Sequence, residues 1–87
     1  MRDEEFECDD DKAIVNIARH GIRFEPARRV FDDVFVVERK DHRQDYGEDR
    51  YTAIGKVAGR LIFVVYTMRG ERIRIIMARL AEPFEKR

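Results

Sequence analysis

The sequence contains no serine and no tryptophan, and it has one cysteine and two histidines in 87 residues. The absence of serine removes the serine nucleophiles, and Cys8 stands among acidic residues that disfavour a reactive thiolate. A single cysteine also excludes an internal disulfide and a zinc site built from several thiolates. His20 and His42 lack the spacing of paired metal ligands. The one metal arrangement left open combines His42 with neighbouring carboxylates.

Long apolar segments and glycine-rich phosphate loops are also missing. No apolar run approaches the 18 residues that would predict a membrane helix. The N-terminal stretch MRDEEFECDDDK is acidic and lacks the apolar core of a signal peptide, so we expect a cytoplasmic protein. A chain of this length has material for one hydrophobic core, and we expect a single domain over residues 1–87.

Charge is abundant and unevenly distributed. The net charge of zero combines residues 1–49, with 9 basic and 15 acidic side chains, and residues 50–87, with 9 basic and 3 acidic ones. Arginine outnumbers lysine 14 to 4, and the planar guanidinium binds phosphates and carboxylates bidentately. The basic second half therefore indicates an anionic partner.

The start of the chain predicts an edge strand followed by a helix. Phe6 and Cys8 alternate with acidic residues, as in a half-buried strand. Asp9 or Asp10 is placed to cap a helix that runs to His20 and ends at Gly21. The predicted apolar face of this helix consists of Ile14, Ile17 and Ala18.

A second helix and four further segments follow. The second helix is short, begins at Pro26 and buries Ala27, Val30 and Phe31. The remaining predictions are a β-rich segment at Val34 to Glu38, a polar loop from Arg39 to Glu48, and strands at Arg50 to Val57, Leu61 to Thr67 and Arg72 to Met77. The run Leu61 to Thr67 is apolar on both faces and is predicted to be the central strand. The tail from Ala81 to Arg87 is predicted to form at most a short third helix with Pro83 at its start.

The order of these elements predicts an α+β domain, with two helices packed on one face of an antiparallel sheet. On such a sheet, arginines together with Glu48 have the chemistry to cleave a phosphodiester without a metal. A carboxylate can deprotonate the attacking 2′-hydroxyl, and guanidinium groups can stabilise the phosphorane.

Each of these residues also has a simpler explanation. His20 suits the end of a helix through its interaction with the helix dipole, and Glu48 with Arg50 can be a solvated pair. Arg72 and Arg74 can belong to a polar sheet face, and Tyr66 can be a core residue with a hydrogen-bonded hydroxyl.

The sequence resembles the BrnT family over roughly residues 6–81. The family's usual order of FEWD, K, N, KHG, F, A and VFDD is matched by Phe6 to Asp9, Lys12, Asn16, His20 to Ile22, Phe24, Ala27 and Val30 to Asp33. The match continues through Arg43, Tyr46 to Glu48, Arg50, Ile54 to Gly55, Val64 to Thr67, Arg69, Arg72 to Ile76 and Ala78 to Arg79.

The resemblance implies the ribonuclease toxin of a type II toxin-antitoxin pair, with a RelE-like fold, that arrests translation and growth. Its implied partner is a BrnA-like ribbon-helix-helix antitoxin, whose dimer carries two toxins in a heterotetramer and contacts operator DNA. The toxin itself would contact RNA, and no cofactor is expected.

Residue chemistry then suggests roles. Glu48 is the general base or the group that orients the base. The scissile phosphate is bound by Arg50, Arg74 and Arg79. His20 is an alternative acid or base. The expected further RNA contacts are Lys12, Arg72 and Tyr66.

Departures from the family pattern leave another function open. Cys8 replaces a tryptophan, Arg19 a lysine, and Leu80 and Glu82 the usual residues near the C-terminus. The third helix is therefore expected to be short or truncated. The alternative function is a non-catalytic module that binds a ribbon-helix-helix protein and assists repression.

Overall fold

The fold is built around a five-stranded sheet with the strand order β1-β5-β4-β3-β2. The computed structural model describes residues 5–41 and 47–86, and the structural statements below refer to these ranges. The strands are β1 (Phe6–Cys8), β2 (Val37–Asp41), β3 (Arg50–Val57), β4 (Arg60–Arg69) and β5 (Arg72–Leu80). The helices are α1 (Asp10–His20) and α2 (Phe24–Ala27), and 3₁₀ helices occupy Arg28–Asp32 and Pro83–Lys86.

The α+β class and the central position of β4 are confirmed. Strand β4 lies between β3 and β5, and both of these neighbours are antiparallel to it. The prediction of a wholly antiparallel sheet was wrong, because β1 pairs in parallel with β5. Since α1 follows β1 directly, the chain crosses the helical layer before it reaches the other strands, and that crossover permits the parallel pairing.

The hydrophobic core lies between the helical layer and one face of the sheet. Side chains of a strand alternate between its two faces, so every second residue of β4 points toward the helices. Phe24, Val30, Val64 and Ile75 are the largest completely buried side chains. The rest of this core cluster comprises Phe6, Ile22, Ala27, Ala53, Ile62, Tyr66 and Ala78.

The ends of α1 agree with the sequence prediction. Asp9 is the N-cap, and its Oδ1 accepts hydrogen bonds from the backbone N–H groups of Asp11 and Lys12 at 2.8 and 3.4 Å. Gly21 closes the helix in the left-handed conformation with φ of +69°, and its N–H donates to the carbonyl of Ile17. Glycine adopts this conformation without the steric cost that a Cβ would add.

The predicted apolar face of α1 was wrong. Ile14, Ile17 and Ala18 are exposed, with 67% of Ile14 accessible to solvent, whereas Asn16 is the buried residue of the helix. The Asn16 side-chain amide donates to the carbonyl oxygen of Ala78 at 2.8 Å and accepts from its N–H at 3.1 Å. It also donates to the carbonyl of Ile22 at 2.9 Å.

The free edge of β5 explains why a polar residue occupies this position. Strand β1 pairs with β5 only as far as Ile75, so the backbone of Ala78 faces α1 without a strand beside it. Buried N–H and C=O groups without partners cost free energy. The Asn16 amide carries the same donor and acceptor as a peptide group, and it therefore takes the place of the missing strand.

Two other boundaries differ from the sequence prediction. The second helix begins at Phe24 because this side chain enters the core, and Pro26 lies in its first turn, where its missing N–H is tolerated. Strand β2 begins at Val37, three residues later than predicted.

The segment before β2 is held by Asp33 in a turn. Its carboxylate accepts from the N–H groups of Phe35 at 3.0 Å and Lys56 at 2.7 Å, and these hydrogen bonds hold the pKa of Asp33 below its usual value. Val34 and Phe35 consequently point into solvent, and Val36 packs against the core.

The polar loop and the C-terminal helix are the remaining elements that the sequence predicts. Residues 42–46 of the predicted polar loop lie outside the described ranges. Its first three residues, Arg39 to Asp41, belong to β2 instead, so the predicted start of the loop was wrong. The tail forms a single 3₁₀ turn at Pro83–Lys86, in accordance with the expected short helix. No helix within the described ranges is long and apolar enough to cross a membrane.

The first prediction concerns Asn16. Replacement by alanine leaves three backbone groups without partners, and we expect a loss of about 3 kcal/mol or more, since each buried unsatisfied group costs roughly 1–3 kcal/mol. Urea denaturation monitored by circular dichroism measures this loss. The matched control is Ile14→Ala on the exposed side of the same helix, where a change within about 0.5 kcal/mol is expected. A larger loss in the Ile14 variant would contradict the observed orientation of α1.

The second prediction concerns the contact between β3 and the 3₁₀ helix Arg28–Asp32. A Cβ on Gly55 would lie 2.7 Å from the carbonyl oxygen of Val30 and 2.9 Å from its Cγ1. Gly55→Ala should therefore destabilise the protein by about 1–3 kcal/mol through overpacking. Thermal unfolding measures this effect, with the exposed Lys56→Ala as the control; equal melting temperatures for both variants would overturn the prediction.

Candidate functional site

The face of the sheet opposite the helices carries most of the arginines that the sequence singled out. Tyr51 and Ala53 of β3 belong to the core side, so Arg50 and Thr52 project from the opposite face. The same alternation along β5 places Ile75 in the core and Arg74 on the opposite face. We call this surface the arginine face; its arginines are Arg39, Arg50, Arg69, Arg72, Arg74 and Arg79.

One row of residues crosses the arginine face from edge to edge. Asp41 pairs in register with Arg50, Thr67 with Arg74, and Arg74 with Glu7. Because Tyr51 pairs with Tyr66, Arg50 and Thr67 are the next neighbours along β3 and β4. Adjacent strands lie about 4.8 Å apart, so the backbones of Arg50 and Arg74 are separated by about 10 Å. Thr67 lies between Arg50 and Arg74 in this row.

Glu48 lies beside Arg50. Its Oε1 is 3.5 Å from Nε of Arg50, and both side chains are partly exposed. The hydroxyl of Thr67 donates to the carbonyl oxygen of Asp49 at 2.6 Å, which ties the segment before β3 to the central strand. The carboxylate of Glu48 therefore lies next to one of the two arginines of the row.

Arg74 is held by two carboxylates from the N-terminal part of the chain. Its Nη1 lies 3.3 Å from Oε2 of Glu7, and its Nη2 lies 4.0 Å from Oδ2 of Asp9. Both Arg74 and Glu7 are about four-fifths buried. Burial increases the electrostatic interaction between them, because the surrounding dielectric is lower than in water.

Arg79 lies apart from this row. It pairs in register with Phe63, four residues of β4 away from Thr67, which corresponds to about 13 Å along the strand. Its guanidinium stacks 4.3 Å above the Phe63 ring and binds both carboxylate oxygens of Glu85, at 2.8 and 2.9 Å. The predicted grouping of Arg79 with Arg50 and Arg74 on one phosphate therefore does not match this arrangement.

Tyr66 faces the helices rather than the arginine face. Its ring is in the core, packed edge-on against Phe31 at 5.0 Å and stacked with Tyr51 at 5.6 Å. Its hydroxyl donates to Oε1 of Glu38 at 2.9 Å. Burial and this bond to a carboxylate raise the pKa of Tyr66 well above its usual value. Tyr66 is therefore a core residue with a hydrogen-bonded hydroxyl, which was the simpler of the two explanations from the sequence. Little of its ring is left for stacking on a base.

The other expected RNA residues are divided between two surfaces. Arg72 lies on the arginine face opposite Arg69, near the hairpin that joins β4 and β5. Lys12 and His20 instead lie on α1, and together with Met77 they line a groove at the free edge of β5. His20 is thus separated from the row of Arg50 and Arg74.

Metal ligands are not gathered within the described ranges. No group of three or more His, Cys, Asp or Glu side chains there is arranged to hold a metal ion. His42, which the sequence left open as a ligand, lies outside the described residues, as do Arg43 and Tyr46.

Three residues of this surface were missed by the sequence reasoning. Glu7 accepts a hydrogen bond from Arg74, and Glu85 accepts one from Arg79. The hydroxyl of Thr67 donates to the carbonyl oxygen of Asp49, the residue before Arg50. The alternation of β1 was a usable signal for Glu7, since Phe6 in the core requires Glu7 on the opposite face. The distance in sequence between Glu7 and Arg74 concealed their contact.

The row contains groups that are able to bind an oxyanion. Two guanidinium groups separated by a small residue can bind a phosphate between them, and a neighbouring carboxylate can accept a proton. Such a site requires an anionic substrate that carries an acidifiable hydroxyl.

Comparison with known proteins assigns the family. No match was found among curated proteins. The family model described as "Ribonuclease toxin, BrnT, of type II toxin-antitoxin system" matches residues 8–85, which is most of the chain. A toxin of this type has an antitoxin as its partner. The chain therefore belongs to the BrnT family of ribonuclease toxins.

Proposed function

We propose that the protein is an endoribonuclease that cleaves RNA on the arginine face by attack of a 2′-hydroxyl on the adjacent phosphate. The observation that carries this proposal is the row in which Arg50 and Arg74 flank Thr67, with Glu48 beside Arg50. A scissile phosphate over Thr67 lies within reach of both guanidinium groups. Single-stranded RNA is the substrate that we propose, because its backbone can lie across a sheet.

The chemical step follows from these positions. The carboxylate of Glu48 accepts the proton of the 2′-hydroxyl while its oxygen forms a bond to phosphorus. Arg50 and Arg74 stabilise the additional negative charge of the phosphorane. The bond to the 5′-oxygen then breaks, this oxygen takes a proton from water, and the products carry a 2′,3′-cyclic phosphate and a 5′-hydroxyl.

This mechanism requires no metal ion, since the two arginines supply the positive charge. The antitoxin that we propose is a BrnA-like ribbon-helix-helix protein whose dimer carries two toxins. We further propose that cleavage of cellular RNA arrests translation and growth, and that the antitoxin blocks this activity.

The third prediction tests the reaction itself. The purified protein should cleave a single-stranded RNA in the presence of EDTA and leave a 2′,3′-cyclic phosphate, detectable by mass spectrometry. An RNA with a single 2′-deoxynucleotide at the cleavage position should remain intact there, because the nucleophile is missing. A cut at the 2′-deoxynucleotide, or dependence on an added divalent ion, would contradict the mechanism. A protein without any cleavage, but with an intact repressor complex, would support the non-catalytic alternative.

The fourth prediction concerns the arginine row. Arg74→Gln should lower kcat/KM by about 10²–10³-fold, the usual effect of removing one group that stabilises an oxyanion. Glu7→Gln is the matched control, because it breaks the same ion pair while it leaves the Arg74 guanidinium in place. If the pair acts only through stability, both variants should lose activity equally. Cleavage that is retained in the Glu7 variant and lost in the Arg74 variant supports phosphate binding by Arg74.

The same assay examines Glu48. Glu48→Gln removes the proton acceptor and should lower kcat by about 10²–10⁴-fold. A variant with full activity would exclude Glu48 as the base.

A further inference from the structure

A groove of about 360 Å³ lies where α1 crosses the free edge of β5. Strand β1 covers β5 only to Ile75, and the register of β4 and β5 shifts immediately after this point. This irregularity leaves Ile76 without a partner on β4. The groove is therefore produced by the end of β1 and the bulge in β5. Bulges of this kind are frequent beside functional sites, since they redirect side chains.

The wall of the groove is predominantly basic. Its charged residues are Asp11, Lys12 and Arg19, beside the imidazole of His20, and its apolar surface comes from Val15, Ile76 and Met77. Within residues 5–41 and 47–86, no carboxylate lies within ion-pair distance of Lys12, Arg19 or His20. This distinguishes the groove from the arginine face, where Arg74 and Arg79 are each bound to a carboxylate.

Met77 belongs both to the groove and to the arginine face. Met77 pairs in register with Val65, and Val65 lies on the same face as Thr67. The Met77 side chain therefore contributes to the arginine face and to the groove wall at once. It is three residues from Arg74 along β5, a distance of about 10 Å. Lys12 and Arg19 line the same groove as Met77, so a strand of RNA that continues from Arg74 along β5 meets this groove at Met77.

We infer that this groove is a second RNA subsite, which binds the backbone phosphates of nucleotides that flank the cleavage position. The inference rests on the proposed ribonuclease function. Lys12 and Arg19 bind the phosphates, and Val15, Ile76 and Met77 offer an apolar surface to the sugar or base. His20 belongs to this subsite rather than to the proton-transfer chemistry at Glu48.

The fifth prediction uses the salt dependence of binding. Affinity is measured for a 2′-O-methyl RNA oligonucleotide, which cannot be cleaved, over a series of salt concentrations. Each phosphate contact on a single strand contributes about 0.7 to the slope of log K against log salt concentration. The double variant Lys12→Gln/Arg19→Gln should therefore lower the slope by about 1.4. A dinucleotide is too short to reach the groove, so the variant should weaken the longer RNA more than the dinucleotide.

Arg23 and Arg60 supply the matched control. Both are exposed and line a different groove beside Gly21 and Val57, with no connection to the arginine face. Arg23→Gln/Arg60→Gln removes the same charge and should leave the salt slope within error of the wild type. An equal reduction of the salt slope in both double variants would mean that the effect arises from net charge alone, and the proposed subsite would be wrong.

Other outcomes separate this inference from the proposed function. If Arg50→Gln/Arg74→Gln lowers the slope and the groove variant does not, the ribonuclease site stands and the subsite is refuted. If the groove variant retains its slope but no longer co-purifies with the antitoxin, the groove is a protein interface and the RNA assignment is wrong. If the wild type neither binds nor cleaves RNA, both proposals fail.

Discussion

The hydrogen bonds between Asn16 and the backbone of Ala78 determine how the helical layer meets the sheet. A short strand β1 leaves half of the β5 edge open, and a buried open edge needs donors and acceptors from elsewhere. The amide of Asn16 supplies both, and its third hydrogen bond, to Ile22, fixes the chain that leaves α1. Rotation of α1 about its axis would break all three contacts. The orientation of Lys12, Arg19 and the exposed isoleucines follows from this constraint.

Electrostatics give the two faces of the sheet different properties. The helix-facing side is apolar and contains the Tyr66–Glu38 contact at its edge. The opposite side holds arginines whose charge is balanced by carboxylates from β1, from the segment before β3 and from the C-terminal 3₁₀ turn. These carboxylates come from positions far apart in sequence. The contacts of Arg74 with Glu7 and Asp9 join the acidic and the basic half of the chain over a long distance in sequence, whereas Arg79 and Glu85 both lie in the basic half.

The sequence predicted what local chemistry determines. The cap at Asp9, the stop at Gly21 and the central strand β4 each depend on neighbouring residues or on a continuous apolar run, and all three are confirmed. The orientation of α1 depended on Ala78, which lies 62 residues away, so the helical periodicity of Ile14 and Ile17 pointed to the wrong face. A hydrophobic pattern ranks apolar faces, but it takes no account of a backbone edge that requires a polar partner.

The site residues also divide into those that a local pattern places and those that depend on distant contacts. Strand alternation suffices to place Arg50, Arg72 and Arg74 on one face, because each belongs to a regular strand. It does not reveal that Arg79 is stacked on Phe63 and held by Glu85, nor that His20 lies beyond the edge of β5. Those positions depend on where β1 ends and where β5 bulges, and neither feature has a local signature in the sequence.

The ion pairs of Arg50 with Glu48 and of Arg74 with Glu7 affect how an anion would bind to these two arginines. A phosphate that binds between Arg50 and Arg74 replaces the contacts of these guanidinium groups with Glu48 and Glu7, so part of its attraction is offset by the pairs that it disturbs. Among the described residues, no carboxylate lies within ion-pair distance of Lys12 or Arg19, although Asp11 lines the same groove. Long-range attraction of a polyanion would thus arise mainly at Lys12 and Arg19, whereas the paired arginines favour a ligand whose geometry matches both of them. Attraction and selection of the substrate would then reside on two connected surfaces of one small domain.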